Sequence, residues 1–223
     1  MVVVKSENNY DAIGILGGTF DPVHFGHLRS ALEVCLQLNL DHVRLIPCAE
    51  PPHRQATMAS AEVRRLMLEL AVKSVPQLIV DDRELQRDGP SFTVDTLLSL
   101  RQEFKDNPLF LILGTDAFRG LATWSRWQQI LSLAHIVVVQ RPDETLDLQE
   151  DLQNWYQQNL AQTTDRYLAA GKIWPLTVTS LAISATQIRQ DLLAANPVNF
   201  LLPESVIAVI EQLGLYRSNA SDN

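Results

Sequence analysis

Two histidines three residues apart, His24 and His27, bracket Phe25 and Gly26 at the end of the run Gly17-Gly18-Thr19-Phe20-Asp21-Pro22-Val23. At that spacing near a helix start both imidazoles can lean towards one ligand. The glycine pair ahead of them lets the backbone turn tightly and approach a bound group, and the free amides at a helix N-terminus favour an anion. The segment reads as a phosphate cradle. It has neither the Gly-x-Gly-x-x-Gly spacing of a dinucleotide fingerprint nor the Gly-Lys-Ser/Thr ending of a P-loop. A helix cap or a hydrogen-bonded core group is the ordinary role of a single histidine, and a zinc pair would need ligands that this neighbourhood does not offer.

A second anion site is expected at Ser184-Ala185-Thr186-Gln187. Ser at N-cap and Gln at N3 form a capping box, so a helix starts there with its free amides outward. Arg189 follows one turn in, and a guanidinium beside helix-terminal amides and the hydroxyls of Ser184 and Thr186 suits a polyphosphate. An ordinary cap with a solvated arginine is the competing reading. Asp116 follows the apolar run that ends at Gly114. There it can present its carboxylate to two sugar hydroxyls from a strand's carboxyl end, or cap a helix. Pro51 and Pro52 stiffen a loop that sets His53 beside Arg54, a pair that on an exposed loop is ordinarily just solvated.

These residues need elements to bring them together. Residues 12–17 read as a strand that delivers the glycine pair, and 26–39 as a helix with Leu28, Ala31, Leu32, Cys35 and Leu38 on one face. Further strands are expected at 42–46, 78–80, 109–113, 135–139 and 173–179, and helices at 60–72, 94–104, 185–194 and 204–213. The 60–72 helix would turn Val63, Leu66, Met67, Leu70 and Ala71 inward. Strands alternating with helices are the pattern of βαβ units. The expected class is α/β, a Rossmann-like open, mainly parallel sheet with helices on both faces. The acidic, Gln-rich stretch 142–172, with Trp155 and Tyr156, is expected to be a surface excursion carrying one helix. One domain over 1–217 with a disordered tail at 218–223 completes the expected organisation.

Composition sets the outer limits. A chain of 223 residues with 46% hydrophobic and 20% charged side chains can build one full core, which excludes disorder as its main state. No apolar run approaches the ~20 residues of a membrane helix. The start, Met1-Val2-Val3-Val4-Lys5, lacks the basic region of a secretory signal, so a cytoplasmic protein is expected. A net charge of −8 repels nucleic acid and anionic membranes at long range, while a few basic groups can still form a positive pocket for a small anion. Cys35 and Cys48 fit neither a disulfide framework nor a zinc site and read as thiols, Cys35 in the core.

The histidine segment does not stand alone. Pro51-Pro52-His53-Arg54, Gly89-Pro90-Ser91-Phe92-Thr93-Val94-Asp95-Thr96-Leu97, Gly114-Thr115-Asp116, Trp124 and Ile183-Ser184-Ala185-Thr186-Gln187-Ile188-Arg189 follow in order. In that order and approximate spacing the chain, from Ile13 to about Arg217, resembles the nucleotidyltransferase superfamily with the His-x-Gly-His motif. Within it, the resemblance is to the bacterial nicotinate-nucleotide adenylyltransferases. This implies transfer of the adenylyl group of ATP to nicotinate mononucleotide, giving nicotinate adenine dinucleotide and pyrophosphate in NAD biosynthesis.

The resemblance also implies roles. His24, His27 and Arg189 would be catalytic, the histidines at the transferred group and Arg189 at the departing pyrophosphate. ATP would be held by Gly17, Gly18, Thr19, Phe20, His24, His27, Gly114, Asp116, Ser184, Thr186, Arg189 and the backbone near Ile183. Nicotinate mononucleotide would meet His53, Arg54, Thr93, Trp124 and Ser125, with Trp124 stacked on the pyridine and backbone amides near Thr93 and Ser125 reading the acid. Mg²⁺ would be bound mainly through substrate phosphates and water, with no metal site of the protein's own and Asp21 at most in support. Relatives commonly carry Tyr where Phe92 stands, and some where Ser125 stands; backbone contacts survive that change and hydroxyl contacts do not. The competing readings are transferases acting on nicotinamide mononucleotide, phosphopantetheine or choline phosphate, a nucleotide-binding module without catalysis, and a redox Rossmann protein, which the glycine spacing opposes. Oligomeric state is not legible in the sequence.

Overall fold

The computed structural model describes residues 11–50, 57–142 and 145–217, so the expectations for His53, Arg54 and the 218–223 tail fall outside the described residues. The chain opens with β1 (Ile13–Gly18), α1 (Phe25–Gln37), β2 (His42–Pro47), α2 (Ala61–Val72), β3 (Leu78–Val80) and α3 (Thr93–Glu103). It continues with β4 (Leu109–Gly114), α4 (Thr115–Arg119), α5 (Trp127–Leu133), β5 (His135–Gln140), α6 (Glu150–Gln158), β6 (Ile173–Thr177), α7 (Ala185–Leu193) and α8 (Glu204–Leu213). The strands form one sheet in the order β3-β2-β1-β4-β5-β6, with every pair parallel.

Strand residues alternate between two cores because successive side chains leave a strand on opposite faces. Phe110 and Ile112 of β4 join one face with Leu28, Ala31, Val34 and Cys35 of α1, Met67 and Leu68 of α2, Ile188 of α7 and Val206 and Ile210 of α8. Leu109, Leu111 and Leu113 join the other with Val94, Leu97 and Leu100 of α3, Phe118 of α4 and Ile130 of α5. This is the expected sheet covered on both faces, and it is parallel throughout. No helix among the described residues is long and apolar enough to cross a membrane.

The chain runs outward from β1 through β2 to β3, then returns to lay β4 on the other side of β1. At such a reversal the loops leave in opposite directions and a crevice opens at the strand ends. The pairing shows it: β1 stays with β2 as far as Gly18 opposite Pro47 but with β4 only as far as Ile15 opposite Leu111.

Three sequence expectations change. In α2 the buried set is Arg64, Met67, Leu68 and Val72, while Leu66 is 41% exposed. Met67 is buried and Val63, Leu70 and Ala71 pack against the core as expected, so only Leu66 leaves the expected stripe, which Arg64, Leu68 and Val72 widen. The 142–172 stretch is only partly a surface excursion: besides α6 it carries a 3₁₀ turn at Thr163–Tyr167, Tyr156 is buried, and Trp155 meets Trp127 edge to face at 5.1 Å. The last strand stops at Thr177, two residues short of the expected end. Arg166 and His135 fasten the excursion from below. Arg166 donates to the Leu38 carbonyl at 3.1 Å, and His135 Nε2 lies 2.7 Å from the Leu168 carbonyl while its Nδ1 accepts from the Lys172 amide at 3.2 Å.

Candidate active site

The crevice beyond β1 and β4 is a cavity of about 970 Å³. Gly17, Gly18, Thr19, Phe20, His24, His27, Gly114, Asp116, Ile183, Ser184, Thr186 and Arg189 all line it. The two anion sites expected separately are thus one site.

His24 occupies the N-cap position of α1, but its side chain does not cap the helix. Its ring folds back over Gly26 and stacks on His27, with centroids 3.7 Å apart and planes at 22°. A Cβ on Gly26 would stand 3.0 Å from His24 Cε1 and Nδ1 and 3.4 Å from the Ile183 carbonyl oxygen. The glycine between the histidines is therefore where the ring and the approach to α7 share one gap. His24 is 5% exposed, and among the described residues its Nδ1 is buried with no hydrogen-bond partner. Burial pushes its pKa down to about 4. An uncharged imidazole with an unsatisfied buried nitrogen costs roughly 1–3 kcal/mol, which a ligand that hydrogen-bonds there would recover.

Phe20 closes the base of the cradle. Its backbone is left-handed, with φ 51°, and its ring meets His27 edge-on at 5.1 Å. Gly18 allows this, since a Cβ there would press on the Phe20 ring at 3.1 to 3.3 Å.

Across the cavity, Ser184 caps α7 by accepting from the Gln187 amide at 3.1 Å. Only that half of the expected capping box forms among the described contacts, because the Gln187 side chain donates to Asp191 Oδ1 at 3.3 Å instead. Arg189 is held rather than loosely solvated: Nη1 donates to the Asp21 carbonyl at 2.7 Å and Nη2 to Thr186 Oγ1 at 3.3 Å. The N-termini of α1 and α7 and one guanidinium therefore border one space, which suits a polyanion. Asp116 does not cap α4, where Gly114 takes the N-cap position. Its carboxylate is 95% exposed at the rim and accepts from Arg119 at 2.9 Å.

A second cavity of about 350 Å³ adjoins the first and shares Gly17, Gly18, Thr19, Asp116 and Ala117 with it. Thr93, Trp124 and Ser125 line it together with Phe92, Leu97 and Leu113, so its walls are mostly apolar. Trp124 both lines the cavity and packs on the α3–α5 side of the core. Ser91 braces the cavity edge: its Oγ accepts from the Ala49 amide at 3.0 Å, and its own amide donates to the Glu50 carbonyl at 3.1 Å.

The cytidylyltransferase-like family model matches residues 15–191. A probable nicotinate-nucleotide adenylyltransferase from Pseudomonas fluorescens is 50% identical over 211 residues, covering 92% of this chain and 97% of that protein. One of the same name from Methylococcus capsulatus is 48% identical over 209 residues, covering 92% and 99%. The chain belongs to the nicotinate-nucleotide adenylyltransferase family. The fold agrees: nicotinic acid mononucleotide adenylyltransferase of Plasmodium falciparum, solved with NaAD, superposes with a TM-score of 0.72 at 16% identity, covering 93% of this chain and 98% of that one.

In this adenylyltransferase several residues at the site escaped the sequence reading. Arg141, directly after β5, and Thr57, Ser30 and Thr179 line the larger cavity, and Cys48, directly after β2, the smaller one. For Arg141 and Cys48 the signal was available, since residues just past the carboxyl ends of parallel strands face the crevice. Arg64 gave no such signal. It is fully buried, and its guanidinium donates to the carbonyls of Thr19 at 2.7 Å, Cys48 at 2.8 Å, Ala49 at 3.3 Å and Ala59 at 3.4 Å. In a trans peptide the N–H points opposite to the C=O, so holding the Thr19 carbonyl at Arg64 turns the Phe20 amide away from the guanidinium. Glu84 and Thr96 form a buried pair at 2.5 Å beside the smaller cavity, the hydroxyl donating to the carboxylate.

Proposed function

We propose that this protein transfers the adenylyl group of ATP to nicotinate mononucleotide, forming nicotinate adenine dinucleotide and pyrophosphate. The observation that carries this reading is the pair of cavities with a common wall. One is built for a polyanion, and the other offers Trp124 and apolar walls to a flat ring. An acceptor seated in the smaller cavity presents its phosphate at Gly17, Gly18 and Thr19, where it meets the α-phosphorus of ATP in line. An ionised phosphate is already a nucleophile, so no protein nucleophile is needed; the chain's work is to position and neutralise two polyanions. His24 and His27 serve the transferred group, and Arg189 the departing pyrophosphate.

Mg²⁺ would neutralise phosphate charge. Among the described residues no three His, Cys, Asp or Glu side chains are gathered as a protein-held metal site requires, which fits an ion carried on the substrate phosphates and water.

Choice of the acid follows from the start of α3. The Asp95 and Thr96 amides are taken by the Phe92 carbonyl at 3.0 and 3.3 Å. The first amides of the helix, at Thr93 and Val94, have no acceptor within it and suit a carboxylate better than a carboxamide, whose NH₂ would face other donors. Steady-state pyrophosphate release with ATP and each pyridine mononucleotide tests the reading. Two mismatched amides at ~1–3 kcal/mol each give a preference for the acid on the order of 100-fold. Equal efficiency with the amide would sink the nicotinate assignment, and ATP binding without pyrophosphate release on any acceptor would leave only a nucleotide-binding module.

A further inference from the structure

The last described turn of the chain reaches back under the cradle. Beyond α8, Gly214 and Tyr216 both adopt left-handed backbone, φ 61° and 59°, which turns the Tyr216 side chain inward until the residue is only 3% exposed. Its hydroxyl donates to Asp21 Oδ1 at 2.5 Å. Burial first, and then the neighbouring Asp21 carboxylate, push the Tyr216 pKa far up, so the group is a permanent donor. Asp21 is itself 6% exposed. Its carboxylate also accepts from the amides of Met58 at 2.9 Å and Ala59 at 3.2 Å, and its backbone carbonyl accepts from Arg189 Nη1 at 2.7 Å. Met58 and Arg189 both line the larger cavity.

One residue therefore has a different partner at each end. The side chain of Asp21 is fixed from below by Tyr216, and its carbonyl fixes Arg189 above. Nothing in the adenylyl-transfer chemistry requires a tyrosine 195 residues away from Asp21 in sequence. A side chain serving only to tie down the last helix would need no hydroxyl aimed at a carboxylate under the site. We propose that Tyr216 is a positioning residue for the reaction: by holding Asp21 it sets the place of the Asp21 carbonyl and so aims the Arg189 guanidinium into the ATP cavity. The inference rests on the adenylyl-transfer reading.

The test is Tyr216→Phe, which removes one oxygen and keeps the ring. Kinetics with ATP and nicotinate mononucleotide varied in turn are read at a temperature where circular dichroism shows wild type and variant folded. The KM for ATP should rise about tenfold, the loss expected for a hydrogen bond to a charged group. The KM for the mononucleotide should stay within about twofold, since that contact lies in the other cavity. In an Arg189→Lys background the same change should add less than about twofold, because its route runs through the guanidinium. Asp21→Asn, a second variant of the same shape, should also raise the KM for ATP. A folded Tyr216→Phe protein with lowered melting temperature and unchanged KM for ATP would overturn the proposal and leave a structural clasp; so would an equal, multiplicative effect in both Arg189 backgrounds. Wild type run in the same assay separates the two levels, since a wild type that releases no pyrophosphate faults the adenylyl-transfer reading and not the role of Tyr216.

Discussion

Gly26 shows how much a single absent carbon decides. The His24 ring occupies the space a Cβ would claim, at 3.0 Å, and the start of α7 crowds the same point from the other side. In Gly26→Ala the ring must tilt off His27. Gly26 lies in the first turn of α1, where alanine gains less than in a helix interior and meets the Ile183 carbonyl at 3.4 Å, so stability should change little. Turnover should fall roughly tenfold or more, since a group displaced by a fraction of an ångström loses its alignment with the reacting centre. Pyrophosphate release and urea unfolding on the same sample check this, and unchanged turnover would mean that the gap does not set the ring. The histidine pair and its glycine were legible in the sequence because type and spacing are local. Arg64 and Tyr216 were not. An arginine on an apolar stripe reads as a solvated residue, and only the fold reveals the carbonyls of Thr19, Cys48, Ala49 and Ala59 that take it inside.

The long elements announced themselves through periodicity, and their observed ends mostly lie within a residue of those expected. α1 and β6 end two residues early, and the elements that went unread are α4 and α5, five and seven residues long. Two turns or fewer do not establish a helical period, and α5 begins after Arg126 in left-handed conformation, φ 49°, which no residue type there announces. The half-formed capping box of α7 leads to a contrast at this scale. Ser184→Ala removes the cap and should cost about 1 kcal/mol in urea unfolding. Gln187→Ala should be nearly neutral, because that side chain serves Asp191 on the surface and not the helix start. Equal losses would restore the reciprocal box. Glu33 of α1 shows a tie between elements that periodicity cannot predict. Burial raises its pKa, but hydrogen bonds from Thr179 and Arg29 more than offset this, and the Thr179 amide held at 2.7 Å belongs to the segment after β6 that borders the larger cavity.

Across the described residues, partly and fully buried histidines contribute to the response to acid. Burial lowers the pKa of His24 to about 4, and lowers those of His42, which Arg44 depresses further, and His135. Each binds its proton more readily in the unfolded chain, where the ordinary value is about 6.5. Their contribution to stability is therefore complete above about pH 6.5 and is lost as the pH falls below it, for His24 towards 4. His24 alone amounts to ~3 kcal/mol over that window. Unfolding midpoints in urea should decline from pH 7 to pH 5 and decline less in His24→Gln; a flat profile would contradict the buried, neutral ring. The architecture of the sheet was readable from the alternation of strands and helices, and the meeting of the β1 and β4 ends from the motifs Gly17-Gly18 and Gly114-Thr115-Asp116. What joined them was not, because the joining contacts span the chain: Arg189 meets Asp21 across 168 residues and Tyr216 meets it across 195. That span has a consequence in time as the protein is made. The glycine pair and both histidines leave the ribosome early, while the helix that completes the larger cavity and the tyrosine beneath it emerge near the end. A nascent chain that stops before Ala185 contains every strand of the sheet, yet only half of the place where phosphate would sit.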